Sequence, residues 1–384
     1  KVFKLMTHKQ INCSRCLFDE TIPNLRLDKD HICKYCRKHD VLITFYNQNE
    51  DVRAKNLSVL VKKIKKAGVR RKYDVIVGVS GGVDSSYMIH KVVELGLRPL
   101  AVYFDNNWGS KISIENIKKI TKKLNIDLFT YVVNWEEFKN IQRAFLKASV
   151  PCVEVPTDLA ISSVLYQSAY KEGVKYIFTG ASFITEGTVP LEWSFIDGTY
   201  IKSVCKDYWI KKFDTYPLLS LKKLFYYTFI KKIVQVPFNN FYSYDKLSAK
   251  KFLAKNYSWE DYGGHHYENI YSKWAFGWYT FHKFGFDKRK VSLSGPLRMG
   301  KITKKEALEM VKNSPDINQE TTDYVMKKLD LTKEEFIEIM KAKPKSFKNF
   351  KTSMTFLLRF RKLVGLSVKM GFISPVVYEK FFDK

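Results

Sequence analysis

Two groups of residues have the types and spacing to do chemistry. The first is Ser80-Gly81-Gly82-Val83-Asp84-Ser85. The apolar, β-branched run Val75, Ile76, Val77 and Val79 precedes it, which suits a strand buried on both faces. Asp84 opens a helical pattern whose apolar positions include Met88, Ile89, Val92 and Val93, and Gly96 ends it. Glycine lets the backbone approach a ligand closely, and the N–H groups at a helix start favour an anion. A strand, Gly-rich turn and helix in that order make a phosphate cradle. The loop is neither G-x-x-x-x-G-K-S/T nor G-x-G-x-x-G. The second group is Cys13-x-x-Cys16 and Cys33-x-x-Cys36, with sixteen residues between the pairs. Two such turns aim four thiolates at one point, a closed tetrahedral zinc site that leaves no position for water. The metal is therefore expected to be structural, in a compact zinc knuckle. His31 and His39 are expected in its surroundings or at the surface. A redox role for the pairs is the rival reading, and neither pair sits near a βαβ pattern.

The elements that must position the loop alternate. Strands are expected at Leu100–Phe104, Leu128–Val133 and Lys175–Thr179, with helices at Ser113–Leu124, Glu136–Ala148 and Asp158–Lys171. Such alternation means a parallel sheet with helices on both faces, and ligands bind beyond the carboxyl ends of its strands. The loop at Ser80, Asp105-Asn106 and Thr179-Gly180 all follow strands, so they should converge on one crevice. The first has the phosphate-binding chemistry; for Asp105 a turn or cap role is the alternative. The expected class is α/β, a doubly wound parallel sheet with an N-terminal zinc knuckle and a mostly helical C-terminal region. The expected units are a knuckle at 1–40, a helical linker at 41–72, the nucleotide-binding domain at 73–235 and a helical region at 236–384.

Composition narrows the partners without choosing one. The chain has 384 residues, 45% of them hydrophobic, and Lys and Arg exceed Asp and Glu by 66 to 39, for a net charge of +27. That balance suits nucleic acid, an acidic surface, or a polyanionic small substrate together with ATP. No segment approaches the ~18 uninterrupted apolar residues of a membrane span. The most apolar stretch, Pro217–Val236, is broken by four lysines and reads as a helix. A cytoplasmic enzyme is expected, since no signal-peptide pattern opens the chain. The single cysteines Cys152 and Cys205 read as buried hydrophobes rather than nucleophiles.

Ser80–Ser85, as SGGVDS, resembles the pyrophosphate loop of the PP-loop ATP pyrophosphatases, which split ATP into AMP and pyrophosphate while adenylating a substrate oxygen; the resemblance implies a pyrophosphate site at that loop and the adenosine side at Asp105-Asn106 and Thr179-Gly180. A longer set of strings resembles the N-acetyl sugar amidotransferase family of lipopolysaccharide and surface-sugar biosynthesis. They are CSRC and CKYC, SGGVDS, EVPTDLAISSVLY from Glu154, TGASFITEG from Thr179, YIKS from Tyr200, WEDYGGHHYE from Trp259 and KFGFDKRK from Lys283. One position departs: where that family is expected to carry Lys after YGG, this chain has His265, whose charge would depend on pH.

The resemblance implies that an acetamido oxygen of a nucleotide-linked sugar is adenylated by ATP and that ammonia then displaces AMP to give an acetamidino group. Mg²⁺ would neutralise the phosphates, with Asp84 as first candidate ligand. Substrate-side candidates are Asp158, Glu186, His265, His266, Lys288, Arg289 and Lys290. Asp158 competes with a capping role, Glu186 with an ordinary surface or helix-start acid, and the three basic residues with a solvated turn. No glutaminase motif occurs, so ammonia is expected from solution or from a separate glutaminase subunit. The C-terminal region could cap the crevice or form a homodimer interface. The runner-up, tRNA thiolation, would use the positive charge but lacks a catalytic cysteine pair near the loop, since Cys152 and Cys205 have no CxxC spacing, and a recognisable RNA-binding module. A non-catalytic ATP-binding scaffold leaves the downstream strings unexplained.

Overall fold

The computed structural model describes residues 11–46, 49–264 and 266–382. Its centre is a parallel sheet of β1 (Val75–Gly78), β2 (Pro99–Asp105), β3 (Leu128–Val132), β4 (Tyr176–Thr179) and β5 (Val234–Pro237), in the order β3-β2-β1-β4-β5. β1 lies in the middle, with Ile76 opposite Leu100 on one side and Ile177 on the other. Its side chains alternate between two cores. Ile76 joins Leu100, Val102 and Ile177 on one face, while Val75 and Val77 join Ala101 and Phe178 on the other. Both faces are covered, so β1 reads as an unbroken apolar run, and each buried aliphatic side chain contributes about 2 kcal/mol.

Before the sheet come α1 (Lys34–Tyr46) and α2 (Glu50–Gly68). Within it lie α3 (Val83–Glu94), α4 (Lys111–Leu124), α5 (Trp135–Lys147), α6 (Val155–Lys171), α7 (Phe183–Glu186), α8 (Gly198–Asp207) and α9 (Leu221–Phe225). Helices α5, α6 and α8 pack on the first face and α2, α3 and α4 on the second. This is the doubly wound α/β arrangement expected from the sequence. Then follow α10 (Lys246–Tyr257), α11 (Ile270–Trp274), α12 (Thr280–Phe284), α13 (Arg289–Arg298), α14 (Lys304–Met310), α15 (Gln319–Lys328), α16 (Lys333–Lys341), α17 (Met354–Arg359), α18 (Arg361–Lys369) and α19 (Pro375–Phe381). The helical C-terminal region is therefore present. Among the described residues no helix is long and apolar enough to cross a membrane.

One stretch differs from its reading. Pro217–Val236 is helical only through α9 and a π turn at Tyr226–Ile230; Lys232 then takes a left-handed φ of 54° and the chain enters β5. Two adjacent lysines break the helical face, and Val234 and Val236 suit a strand. Pro237, with no N–H to donate, ends this edge strand. The boundary expected between 235 and 236 thus falls inside β5.

Candidate active site

The six-residue loop leaves β1 and starts α3 at the carboxyl edge of the sheet. Gly81 has φ +75°, and a Cβ there would meet the Ser113 carbonyl oxygen at 2.0 Å, so no other side chain fits. Side-chain hydroxyls answer the loop's N–H groups. The Ser80 amide donates to Ser85 Oγ (3.1 Å), the Gly82 amide to Ser80 Oγ (3.3 Å) and the Val83 amide to the Tyr262 hydroxyl (3.2 Å). These are partners that a phosphate oxygen can replace. From behind, Trp259 Nε1 donates to the Gly81 carbonyl (3.1 Å). The WEDYGG string therefore buttresses the loop as well as leading to His266. Asn239, fully buried, donates to the Gly180 carbonyl (2.8 Å) and ties the end of β4 to the start of α3.

The loop opens into a cleft of about 690 Å³. Ser80, Gly82, Asp84 and Ser85 line it, with Asn106, Asp158, Thr179, Gly180, Glu186, His266, Lys288 and Arg289. Gly81 and Val83 belong to the loop but face inward. Asp105 stands outside the lining; its carboxylate accepts from the Asn107 amide (2.9 Å), a turn role, whereas Asn106 accepts from Asn269 Nδ2 (3.1 Å). Lys290 also stands outside, paired with Asp19 on the knuckle, and Arg289 forms a fork with Asp287 (Nη2–Oδ2 2.6 Å). The expected three-cation grip on a diphosphate is thus dispersed by internal ion pairs. His265 lies outside the described residues.

Charge is concentrated at one end. Lys246, the first residue of α10, lies 3.2 Å from Asp84 Oδ2, while the other oxygen, Asp84 Oδ1, is buried with no hydrogen-bond partner. A carboxylate oxygen held out of water in this way fits a divalent cation. Burial, then the negative charge of Asp84, push the Glu186 carboxyl up to about 7. His266, at a left-handed φ of 63°, stands 3.8 Å from Glu268 Oε1. Burial opposes its charge, but Glu268 and then Glu186 outweigh this and hold its pKa above the usual value. A second buried group lies deeper. Burial, then Asp158, push Glu154 up to about 8, and burial likewise raises Asp158. Lys288 and Lys380 oppose them, both pushed down by burial, and Lys288 Nζ sits 3.6 Å over the Phe276 ring, which a π turn at Ala275–Tyr279 turns into the cleft.

Sequence reasoning missed Lys246, Glu154, Lys380 and Asn239. Lys246 follows Asp245, whose carboxylate accepts from the Ser248 amide (2.7 Å), so only a helix-cap signal marked that place. Cys152 and Cys205 are buried, and burial pushes their thiols up to about 11 and 12. They are poor nucleophiles.

Cys13, Cys16, Cys33 and Cys36 lie fully buried with their sulfur atoms within 4.8 Å of one another. Four thiols this close cannot all ionise by themselves: shared hydrogen bonds hold Cys13 far below the usual thiol range and push Cys33 and Cys36 far above it. A divalent cation resolves that conflict, and donor type and geometry fit a four-sulfur metal site. Arg298 of α13 donates through Nε to Cys36 Sγ (3.2 Å) and through Nη1 to Thr188 Oγ1 (2.9 Å). The knuckle thus holds the segment beside Glu186. His39 is buried and neutral, pushed down to about 3 by burial and then by Arg298 and Arg15, and His31 is exposed.

Residues 268–364 match the family model "LPS biosynthesis protein WbpG-like, C-terminal domain". That description shares the lipopolysaccharide-biosynthesis setting expected from the sequence strings, over 97 of the 384 residues. A further relative is an uncharacterized protein from Methanocaldococcus jannaschii, 27% identical over 172 residues, covering 44% of this chain and 58% of that protein. The chain thus spans less than two thirds of that relative. Among solved structures, NMN synthetase from Francisella tularensis is similar at TM-score 0.32 and 13% identity, covering 74% of this chain and 95% of that one. The NH3-dependent NAD synthetase from Campylobacter jejuni in complex with nitrate is similar at TM-score 0.32 and 12% identity, covering 76% and 98%. Likeness at that level is partial and adds nothing to the fold described above.

Proposed function

We propose that the chain is an ATP-dependent amidotransferase that converts an acetamido group of a nucleotide-linked N-acetyl sugar to an acetamidino group during surface-polysaccharide synthesis. The observation that carries the reading is the meeting, in one cleft, of a phosphate cradle, an orphaned Asp84 oxygen and the half-neutral Glu186. An amide carbon is a poor electrophile and oxide a poor leaving group. The acetamido oxygen attacks the α-phosphorus of ATP and pyrophosphate leaves. Ammonia then attacks the activated carbon and AMP departs with the oxygen, so atoms balance as amide, ATP and ammonia in, amidine, AMP and pyrophosphate out.

The loop N–H groups and the start of α3 hold the departing pyrophosphate. Asp84, with Lys246 beside it, would hold Mg²⁺, which supplies neutralisation of the phosphate charge. Glu186, with a pKa near 7, takes a proton from ammonium and leaves the amine free to attack. His266, whose hold on its proton Glu268 strengthens, would steady the negative charge that moves onto AMP. Zinc is the cation proposed for the four cysteines, as structural support. Ammonia would come from free ammonium or from a separate glutaminase, and ATP and activated sugars are cytoplasmic metabolites, in keeping with the expected location.

The test is pyrophosphate release from ATP, Mg²⁺ and ammonium against a panel of N-acetylated nucleotide sugars and bulk tRNA, with mass spectrometry of the product. Release with one sugar, whose product has exchanged oxygen for NH, supports the reading. Release with tRNA alone overturns it in favour of RNA modification.

A further inference from the structure

A second cavity, of about 1140 Å³, lies on the other side of the α7 segment. Its lining shares Ala181, Glu186, Val189 and Lys380 with the cleft, so the two cavities meet across one wall. Apart from that wall, the chemistry above does not use it. Its other cations are Arg26, Lys34, Lys38, Lys348 and Lys351, against Glu192 and Glu379. Lys34 and Lys38 stand one turn apart on α1 and therefore share a face. Lys38 Nζ donates to the Glu379 carbonyl (2.6 Å), which draws α19 and its Lys380 against the cavity. Lys348, itself largely exposed, faces the mostly shielded Glu192 Oε1 at 3.4 Å. Phe350, between Lys348 and Lys351, lines the same wall and offers a ring to a base.

Two ligands have to be accommodated. Pockets of about 300–1,000 Å³ hold one ligand of nucleotide size, and the cleft beside the cradle is accounted for by ATP. The basic run that could have gripped a second diphosphate has two of its three members engaged, Arg289 by Asp287 and Lys290 by Asp19. The second cavity has the volume, the positive lining, the ring and the opening toward Glu186. We propose that it receives the nucleoside diphosphate end of the acceptor, whose acetamido group crosses the shared wall to reach the α-phosphate of ATP. This rests on the amidotransferase reading, and its test is separable from it.

The probe is UDP, titrated calorimetrically into the full chain saturated with the non-hydrolysable ATP analogue AMPCPP. UDP should bind at one further site. The double variant Lys348→Glu/Lys351→Glu should weaken UDP about tenfold or more through lost charge-assisted contacts. Its unchanged AMPCPP affinity would show that the fold and cradle are intact. The milder pair Lys348→Gln/Lys351→Gln should fall between. Displacement of UDP by AMPCPP, or UDP affinity untouched by both double variants, overturns the assignment. If UDP behaves as expected but no N-acetylated nucleotide sugar is turned over, the functional reading fails and the diphosphate site stands.

Discussion

The two ends of the cleft are built in opposite ways. At the phosphate end six consecutive residues offer backbone amides, fixed by a left-handed glycine and a helix start, with the Asp84 carboxylate as the one charged side chain among them. At the other end Glu186, His266 and Glu268 come from α7 and the loop before α11 and shift one another's proton affinities, while Lys246 of α10 stands between them and Asp84. A backbone site is rigid and indifferent to pH; a side-chain site is adjustable and titrates. Damage should therefore abolish function at the first end and retune it at the second.

The largest effect is expected at the cradle. Asp84→Ala should cut pyrophosphate release about a thousandfold, the upper range for losing a major electrostatic contact. Gly81→Ala should lose ATP binding as well, since its Cβ would overlap the Ser113 carbonyl oxygen. A Gly81→Ala protein that binds ATP normally would break the contrast.

At the acceptor end, Glu186→Gln should lower kcat about a hundredfold while leaving the KM for ATP nearly unchanged. The wild-type rate should rise with pH through about 7, as the carboxylate forms, and that limb should vanish in the variant. An unchanged pH profile would remove Glu186 from the proton transfer.

Stability should separate the ends too. Glu154 has a folded pKa of about 8, above the ordinary carboxylate value, so folding disfavours its charged form. The cost is absent below the unfolded pKa, grows as pH rises and is complete above about 8. Glu154→Gln should therefore be near neutral at pH 4.5 and stabilising by on the order of 3 kcal/mol at pH 9, read from denaturant unfolding. Equal effects at both pH values would disprove the burial argument.

Metal removal acts on both ends less directly. Cys33→Ser should lose about one equivalent of bound zinc per chain and several degrees of Tm. Its kcat should drop more than its ATP affinity, because Arg298 and Thr188 link the knuckle to the segment beside Glu186. Last, Arg289→Ala should change the KM for the sugar by less than about threefold, since its guanidinium already belongs to Asp287.

The same contrast explains what could be read from the chain alone. Strand β1, the loop and α3 are contiguous, and their periodicity and turn chemistry are local, so both fold class and cradle were legible. The four cysteines were legible because metal spacing is local as well. Lys246 and Lys380 were not, since a lysine at a helix start or near a chain end carries no signal until tertiary packing buries it. Arg289 and Lys290 show the reverse: a basic run looks available until Asp287 and Asp19 are seen beside it, although Arg289 still lines the cleft. Strand β5 was hidden because its Val-x-Val is too short to outweigh the helical pattern before it.

The hydroxyl of Tyr262 has a kinetic consequence. It occupies the Val83 amide that a phosphate oxygen would take, and four residues later the same segment carries His266. A phosphate oxygen that took the Val83 amide would displace that hydroxyl, and a shift passed on to His266 would finish the acceptor's seat only afterwards. Addition should be compulsory, ATP leading, and initial-rate patterns with a dead-end sugar analogue would be uncompetitive toward ATP; a random order would show the eviction to be without effect on His266.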